Sequence, residues 1–140
     1  MVNPIVRRSL GKASYEALAD FRFALRKFFA FSEQAAGEAG ISPQQYQGLL
    51  AIKGARGRDA LSIREIAERL LIRHHTAVEL VDRLEKNGLV TRVKDEDDAR
   101  RVMVRLTAKA ERMMDRLAAA HLRELKGIRS VLDQLMAQFD

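Results

Sequence analysis

Arg73, His74 and His75 stand in a row at the head of RHHTAVELVDRLEKNGLV, residues 73–90, and the chain has only three histidines in all. Adjacent histidines raise two chemistries at once, metal binding and proton transfer. On a helix, neighbours point about 100° apart, so this pair cannot easily share one ion. A helical ligand pair needs i, i+4 spacing. His75 and Glu79 have that spacing, but they lack a third ligand nearby, and His121 is distant in sequence. Catalysis fares worse. No serine or cysteine nucleophile motif and no glycine-rich phosphate loop accompanies the histidines, and each acidic cluster has a good reading as solvated surface. The expectation is a chain that is not an enzyme and carries neither metal nor cofactor.

The same helical projection separates two faces. Ala77, Leu80, Val81, Leu84 and Gly88 fall in one sector, the expected buried stripe, with His74 nearer to it. His75, Glu79, Asp82 and Lys86 lie opposite, with Thr76 and Arg83 on a flank. The polar start of this helix suits base edges. Arg and His donate to guanine, Glu accepts from cytosine, and a Thr methyl meets a thymine methyl. Arg83, two turns in, is placed for a phosphate. The alternative, for the helix taken alone, is a solvated face that touches nothing in particular.

What surrounds this helix decides between them. Ser62 and Glu65 form an S-x-x-E capping box for a short helix over 62–70, with Ile63, Ile66, Ala67 and Leu70 on its buried face. Short helix, tight turn and longer helix make a helix-turn-helix. The period then changes to two in LVTRVK (89–94) and RVMVRL (101–106), where Val102, Val104 and Leu106 alternate with Met103 and Arg105. The polar DEDDAR, 95–100, joins these strands into a β-hairpin with a charged tip. A hairpin placed there is a wing. Arg100 and Arg101 at its tip suit a minor groove, and Asp98 can hold Arg100 in one rotamer.

The flanks read as helices. Residues 12–38 carry Tyr15, Leu18, Phe21, Leu25, Phe28 and Phe29 as an apolar stripe, ended by Gly37 and Gly40. A further helix starts at SPQQ, 42–45, where Ser42 caps and Gln45 reaches back, and stops near Lys53-Gly54. Thr107 can cap a tail running to about Phe139, broken near Gly127. Such amphipathic ends would leave apolar surface bare in a monomer, which a symmetric dimer buries.

Composition agrees. The chain has 140 residues, 47% apolar and 31% charged, and suits one folded domain. No apolar run is long enough for a membrane span or, in MVNPIVRRSLGKAS, for a secretion signal, so a cytoplasmic location is expected. With no cysteine, disulfides and thiol chemistry are excluded. The net charge of +6 favours an anionic partner, nucleic acid above all, although the basic excess is spread along the chain.

Three segments together carry a family resemblance: LSIREIAERL (61–70), TAVELVDRLEKNGLV (76–90) and DEDDARRVMVRLT (95–107). The chain resembles the MarR (multiple antibiotic resistance regulator) family of winged helix-turn-helix transcription regulators, and the order of flanking helices fits as well. The resemblance implies a mostly α fold, with a winged-helix DNA-binding part at 42–106 and dimerisation helices at 1–41 and 107–140. It implies a homodimer on a pseudo-palindromic operator, usually as a repressor relieved by a small, often aromatic, ligand. Carried over by position, Arg73, His75, Thr76 and Glu79 face bases, Arg83 contacts the backbone, and Asp98 and Arg100 form the wing pair. Ser62, Arg64, His74, Lys94 and Arg101 complete the candidate DNA-binding set. Tyr15, Phe21, Phe28, Tyr46 and His121 are the candidate ligand-lining residues.

Two departures stand out. Many members carry small hydroxyl residues where this chain has Arg73 and His75, and a basic residue where Glu79 stands, so the operator cannot be borrowed. Lack of cysteine excludes the family's thiol-oxidation sensing, and the sequence does not decide between a free aromatic and a larger acyl-CoA-type effector. The rival readings are a winged-helix protein-interaction module and a constitutive architectural DNA binder.

Overall fold

The computed structural model describes residues 9–139. Residues 1–8, which belong to the segment read above for a secretion signal and to the N-terminal dimerisation region, and Asp140 lie outside the described residues. The elements run α1 (Lys12–Glu38), α2 (Pro43–Lys53), β1 (Ala60–Ser62), α3 (Ile63–Leu70), α4 (His74–Lys86), β2 (Val90–Lys94), β3 (Val102–Leu106), α5 (Ala108–Leu125) and α6 (Arg129–Met136). Contacts group them into two compact units, one of residues Glu33–Ala119 and one of the chain ends, up to Ser32 and from Ala120.

The central unit is a winged helix. Its three-stranded sheet has the order β1-β3-β2, antiparallel throughout. β1 was not foreseen: three residues are too few to show a period, and only pairing with β3 makes them a strand. Leu49, Ile52, Leu61, Ile66, Val81, Leu84, Leu89, Val90 and Val104 are completely or almost completely buried in one core. α2 approaches α4 closely at Gly48, where an added Cβ would lie 3.2 Å from the Leu80 side chain.

Alternation in β3 is broken. Met103 is buried and Val102 is exposed, the reverse of the expected pattern. The sheet explains it. Met103 pairs with Ser62 on one side and Val93 on the other, while Val102 has only Lys94, beyond the end of β1.

Helix ends are set by local chemistry. Ser42–Gln45 and Ser62–Glu65 both form complete capping boxes. α1, α3 and α4 all end in the same paired-bond motif: Ile41→Ala36 with Gly40→Gly37, Ile72→Ala67 with Leu71→Glu68, and Leu89→Leu84 with Gly88→Glu85. That motif needs a left-handed residue, and Gly40 and Gly88 supply it at φ +84° and +73°. At the turn of the helix-turn-helix the residue is Leu71, at φ 57° and 92% exposed. Gly88 therefore leaves the buried stripe of α4 and serves as its exposed stop. Thr107 caps α5 at the Ala110 N–H and donates its hydroxyl to the Gly88 carbonyl at 2.7 Å, closing the base of the wing.

The unit of chain ends buries small residues, Ala17 and Ala24, with His121 and Ile128. A 3-10 turn at Lys126–Ile128 separates α5 from α6 at the expected glycine. Tyr15, Leu18 and Phe29 are exposed rather than packed, as are Phe23, Leu122, Leu132, Met136 and Phe139. No helix among the described residues is long and apolar enough to cross a membrane.

Candidate nucleic-acid interface

The winged helix presents three polar features. The first is the outer face of α4. His75, Glu79 and Arg83 are exposed and Thr76 is half-buried, while Ala77, Leu80, Val81 and Leu84 face the core. Arg73 is the N-cap and makes no side-chain cap bond, so its guanidinium is not tied to the helix it starts. His74 differs from expectation. It is exposed, because the first residue of a helix has no preceding turn to bury it, and it faces a groove beside α3.

The second feature is the wing tip. Asp97 N–H donates to the Asp95 carboxylate, Asp95 N–H to the Arg101 carbonyl, and Arg101 N–H to the Asp98 carbonyl, so residues 95–101 form a closed turn. The Asp98 carboxylate accepts from the Arg100 backbone N–H at 3.0 Å and from its Nε at 3.3 Å. The Arg100 side chain is still 93% exposed. One acid of the tip thus orients the arginine without covering it. Lys94, also exposed, precedes the turn.

The third feature is an open groove lined by Ser62, Ile63, Arg64, Glu65, Glu68, His74, Arg100, Arg101 and Val102. It gathers Ser62, Arg64, His74, Arg100 and Arg101 of the candidate set, but not on equal terms. Ser62 is buried and its hydroxyl accepts from Glu65 N–H in the cap. Arg64 pairs loosely with Glu68 one turn on, at 3.4 Å. Arg101 turns back from the tip and donates to Glu65 at 2.7 Å. Glu65 also pairs with Arg58. Burial pushes the Glu65 carboxyl up, but the hydrogen bonds from Arg58 and Ser62, with the Arg58 charge, outweigh it and hold the pKa at about 2.

Sequence reasoning missed a second tie. Arg92 of β2 donates to Asp82 at 2.7 Å and pairs with Glu85, both on α4. The Asp82 hydrogen bond is the leading influence that raises the Arg92 pKa. A strand residue and two acids ten and seven positions earlier give no local pattern, so only the register of β2 against α4 shows it.

The candidate ligand residues divide between the units. Tyr46 is only 4% exposed and belongs to the winged-helix core, which corrects its assignment to a pocket wall; burial raises its pKa. In the other unit, His121 is buried and lies 2.8 Å from the Ser32 hydroxyl, edge-on to Phe28 and Phe31. Tyr15 is exposed and Phe21 half-buried. Phe28 lines a cleft of about 280 Å³ with Phe23, Lys27, Ile128 and Val131, of which Phe23 and Lys27 were not foreseen. The Lys27 ammonium stands 4.8 Å from the Phe23 ring centre. No cluster of metal-ligating side chains occurs among the described residues.

A helix-turn-helix whose second helix shows a polar outer face, followed by a hairpin carrying an exposed arginine, defines a winged helix-turn-helix. The family model that matches is that of the MarR family, over residues 39–101. A curated relative, the uncharacterized HTH-type transcriptional regulator YsmB of Bacillus subtilis, is 29% identical over 130 residues, covering 89% of this chain and 87% of its own. A MarR family protein from Bacillus stearothermophilus has a similar structure, with a TM-score of 0.72 at 25% identity, covering 86% of this chain and 82% of the other. A mutant of S. aureus MepR, bound to oligodeoxyribonucleotide, shares the fold at a TM-score of 0.67 and 20% identity, over 90% of this chain and 98% of that one. Over residues 39–101 the chain thus resembles the MarR family, and over most of its length it is similar to HTH-type transcriptional regulators.

Proposed function

We propose that this regulator acts as a homodimer on a pseudo-palindromic operator in double-stranded DNA, as a repressor relieved by a small aromatic ligand. The observation that carries the DNA reading is Arg100, held by Asp98 yet almost wholly exposed at the wing tip, beside a helix that exposes His75, Glu79 and Arg83. A MepR mutant of the same fold binds an oligodeoxyribonucleotide, which supports it. In this reading residues 42–106 form the DNA-binding part, and 1–41 and 107–140 supply the dimer contacts. Arg73, His75, Thr76 and Glu79 at the start of each α4 face base edges, Arg83 approaches the backbone, and Arg100 enters the minor groove. The two recognition helices enter major grooves about 34–36 Å apart.

The bare apolar surface of the chain ends supports the dimer: Tyr15, Leu18, Phe29, Leu122, Met136 and Phe139 are exposed in the single chain. The cleft at Phe23, Lys27 and Phe28 suits a small aromatic ligand, with the rings for stacking and the ammonium for an acidic group.

Fluorescence anisotropy with a labelled duplex, selected by the protein from its own genomic fragments, tests this reading. Arg100→Ala weakens binding strongly while sedimentation still reports a dimer, and wild-type binding falls steeply with salt. Unchanged affinity in Arg100→Ala removes the wing assignment. A salt-insensitive protein partner without DNA retardation supports an interaction module instead. Compaction of arbitrary DNA supports an architectural binder.

A further inference from the structure

Two capping boxes in this chain differ in one atom type. At α2 the returning side chain is Gln45, whose Oε1 accepts from Ser42 N–H at 2.9 Å. At α3 it is Glu65, which accepts from Ser62 N–H at 3.1 Å. An amide thus suffices for the cap, and Gln and Glu serve equally there. The negative charge of Glu65 is surplus to capping, and both its other partners are cations: Arg58, from the segment between α2 and β1, and Arg101, from the wing.

Arg101 is also the residue through which the wing tip is closed. Its N–H donates to the Asp98 carbonyl and its carbonyl accepts from Asp95 N–H, both at 2.9 Å. Asp98 in turn holds Arg100 by backbone and side chain. An unbroken series of bonds therefore leads from the first turn of α3 to the exposed guanidinium: Glu65, Arg101, Asp98, Arg100. The Glu65 side chain is 19% exposed, so its bonds are partly shielded from solvent and salt, unlike ordinary surface pairs.

We infer that Glu65 is a positioning residue for DNA recognition: its carboxylate straps the wing to α3 through Arg101 and so fixes the direction in which Arg100 is presented. This rests on the DNA reading proposed above. It also assigns Arg101 to the strap rather than to the groove. Simple electrostatics gives the opposite expectation. Removing an acid beside a DNA-facing surface raises the positive charge and frees Arg101 for a phosphate, so Glu65→Gln would bind DNA more tightly.

The test uses the full-length protein and Glu65→Gln, which keeps the cap. Without DNA, hydrogen exchange followed by mass spectrometry reads the segment 94–102 against α2. Faster exchange in 94–102 with α2 unchanged is expected, and equal exchange in both segments overturns the strap. With DNA, anisotropy on the duplex selected by the wild type completes a double-mutant cycle with Arg100→Ala. The expected result is an affinity loss of about tenfold for Glu65→Gln, and a much smaller effect of Arg100→Ala in that background than in the wild type. Equal or tighter binding by Glu65→Gln overturns the inference, as does an undiminished Arg100→Ala effect, because a loss of stability alone would scale both proteins alike. If Arg100→Ala has no effect even in the wild type, the wing reading fails, and with it the positioning role; the exchange result then still decides whether the strap exists.

Discussion

The two units of this chain bury different things. The winged helix encloses leucine, isoleucine and valine side chains almost completely, and among its large apolar residues only Leu50, Leu71 and Val102 are exposed. The unit of chain ends buries alanines and leaves Phe23, Phe29, Leu122, Leu132, Met136 and Phe139 in solvent. The first has the interior of a self-sufficient fold. The second exposes large apolar side chains of the kind that the proposed dimer would cover. The same amphipathic periodicity wrote both. A 3.6-residue stripe specifies which face is apolar, but not whether its cover comes from the same chain.

The largest expected effect lies in the first unit. Leu84→Ala costs about 3 kcal/mol in urea denaturation, because a completely buried side chain leaves a cavity. That loss is independent of protein concentration. If the proposed dimer forms through this unit, Leu122→Glu acts differently: it leaves the isolated chain little changed, shifts sedimentation from dimer to monomer, and lowers the melting temperature most at high concentration. Equal concentration dependence in both variants would erase the contrast between the units.

Acid titration gives the next effect. The Glu65 pKa falls from 4.5 to about 2 in the folded chain. A depressed carboxylate adds stability above its unfolded pKa and loses it as the pH falls through the folded value. Stability should therefore decline between about pH 4.5 and 2, by on the order of 2 kcal/mol from this group once the solvent access of its arginine partners is discounted. Glu65→Gln should flatten that part of the curve; an identical acid limb in both proteins would show that other carboxylates carry it.

The smallest effect is a gain. Leu71 occupies a left-handed position that Gly40 and Gly88 fill in the matching motifs, and it is nearly fully exposed. Leu71→Gly relieves backbone strain without losing buried surface. After the entropy that glycine adds to the unfolded chain, it should stabilise the protein by about 0.5–1 kcal/mol. A loss of DNA affinity in this variant would reveal that the leucine has a role in contact.

Much was legible because it is local. Capping boxes at Ser42–Gln45 and Ser62–Glu65, the glycine stop at Gly40, and the change of period at residue 89 each involve residues a few positions apart, so α1 to α4 and the hairpin can be drawn from the chain alone. The Asp98–Arg100 pair is local too, with one residue between them. What failed to show depends on long sequence separations. β1 exists because it pairs with residues some forty positions later. Met103 is buried by having strands on both sides. Tyr46 reads equally as pocket or core until α2 is packed.

The polar face of α4 and the type of fold were thus determined by sequence, through spacings that backbone geometry converts directly into faces and turns. Which charges on that surface remain uncommitted was decided only by tertiary structure. Arg100 and Arg101 are adjacent and chemically identical, yet one points outward with its acid behind it and the other is turned onto Glu65, thirty-six positions earlier. Asp82 and Glu85 are likewise drawn to Arg92. An ion pair across elements needs the elements docked in register before its partners meet, and nothing in a residue's neighbours along the chain records that distance.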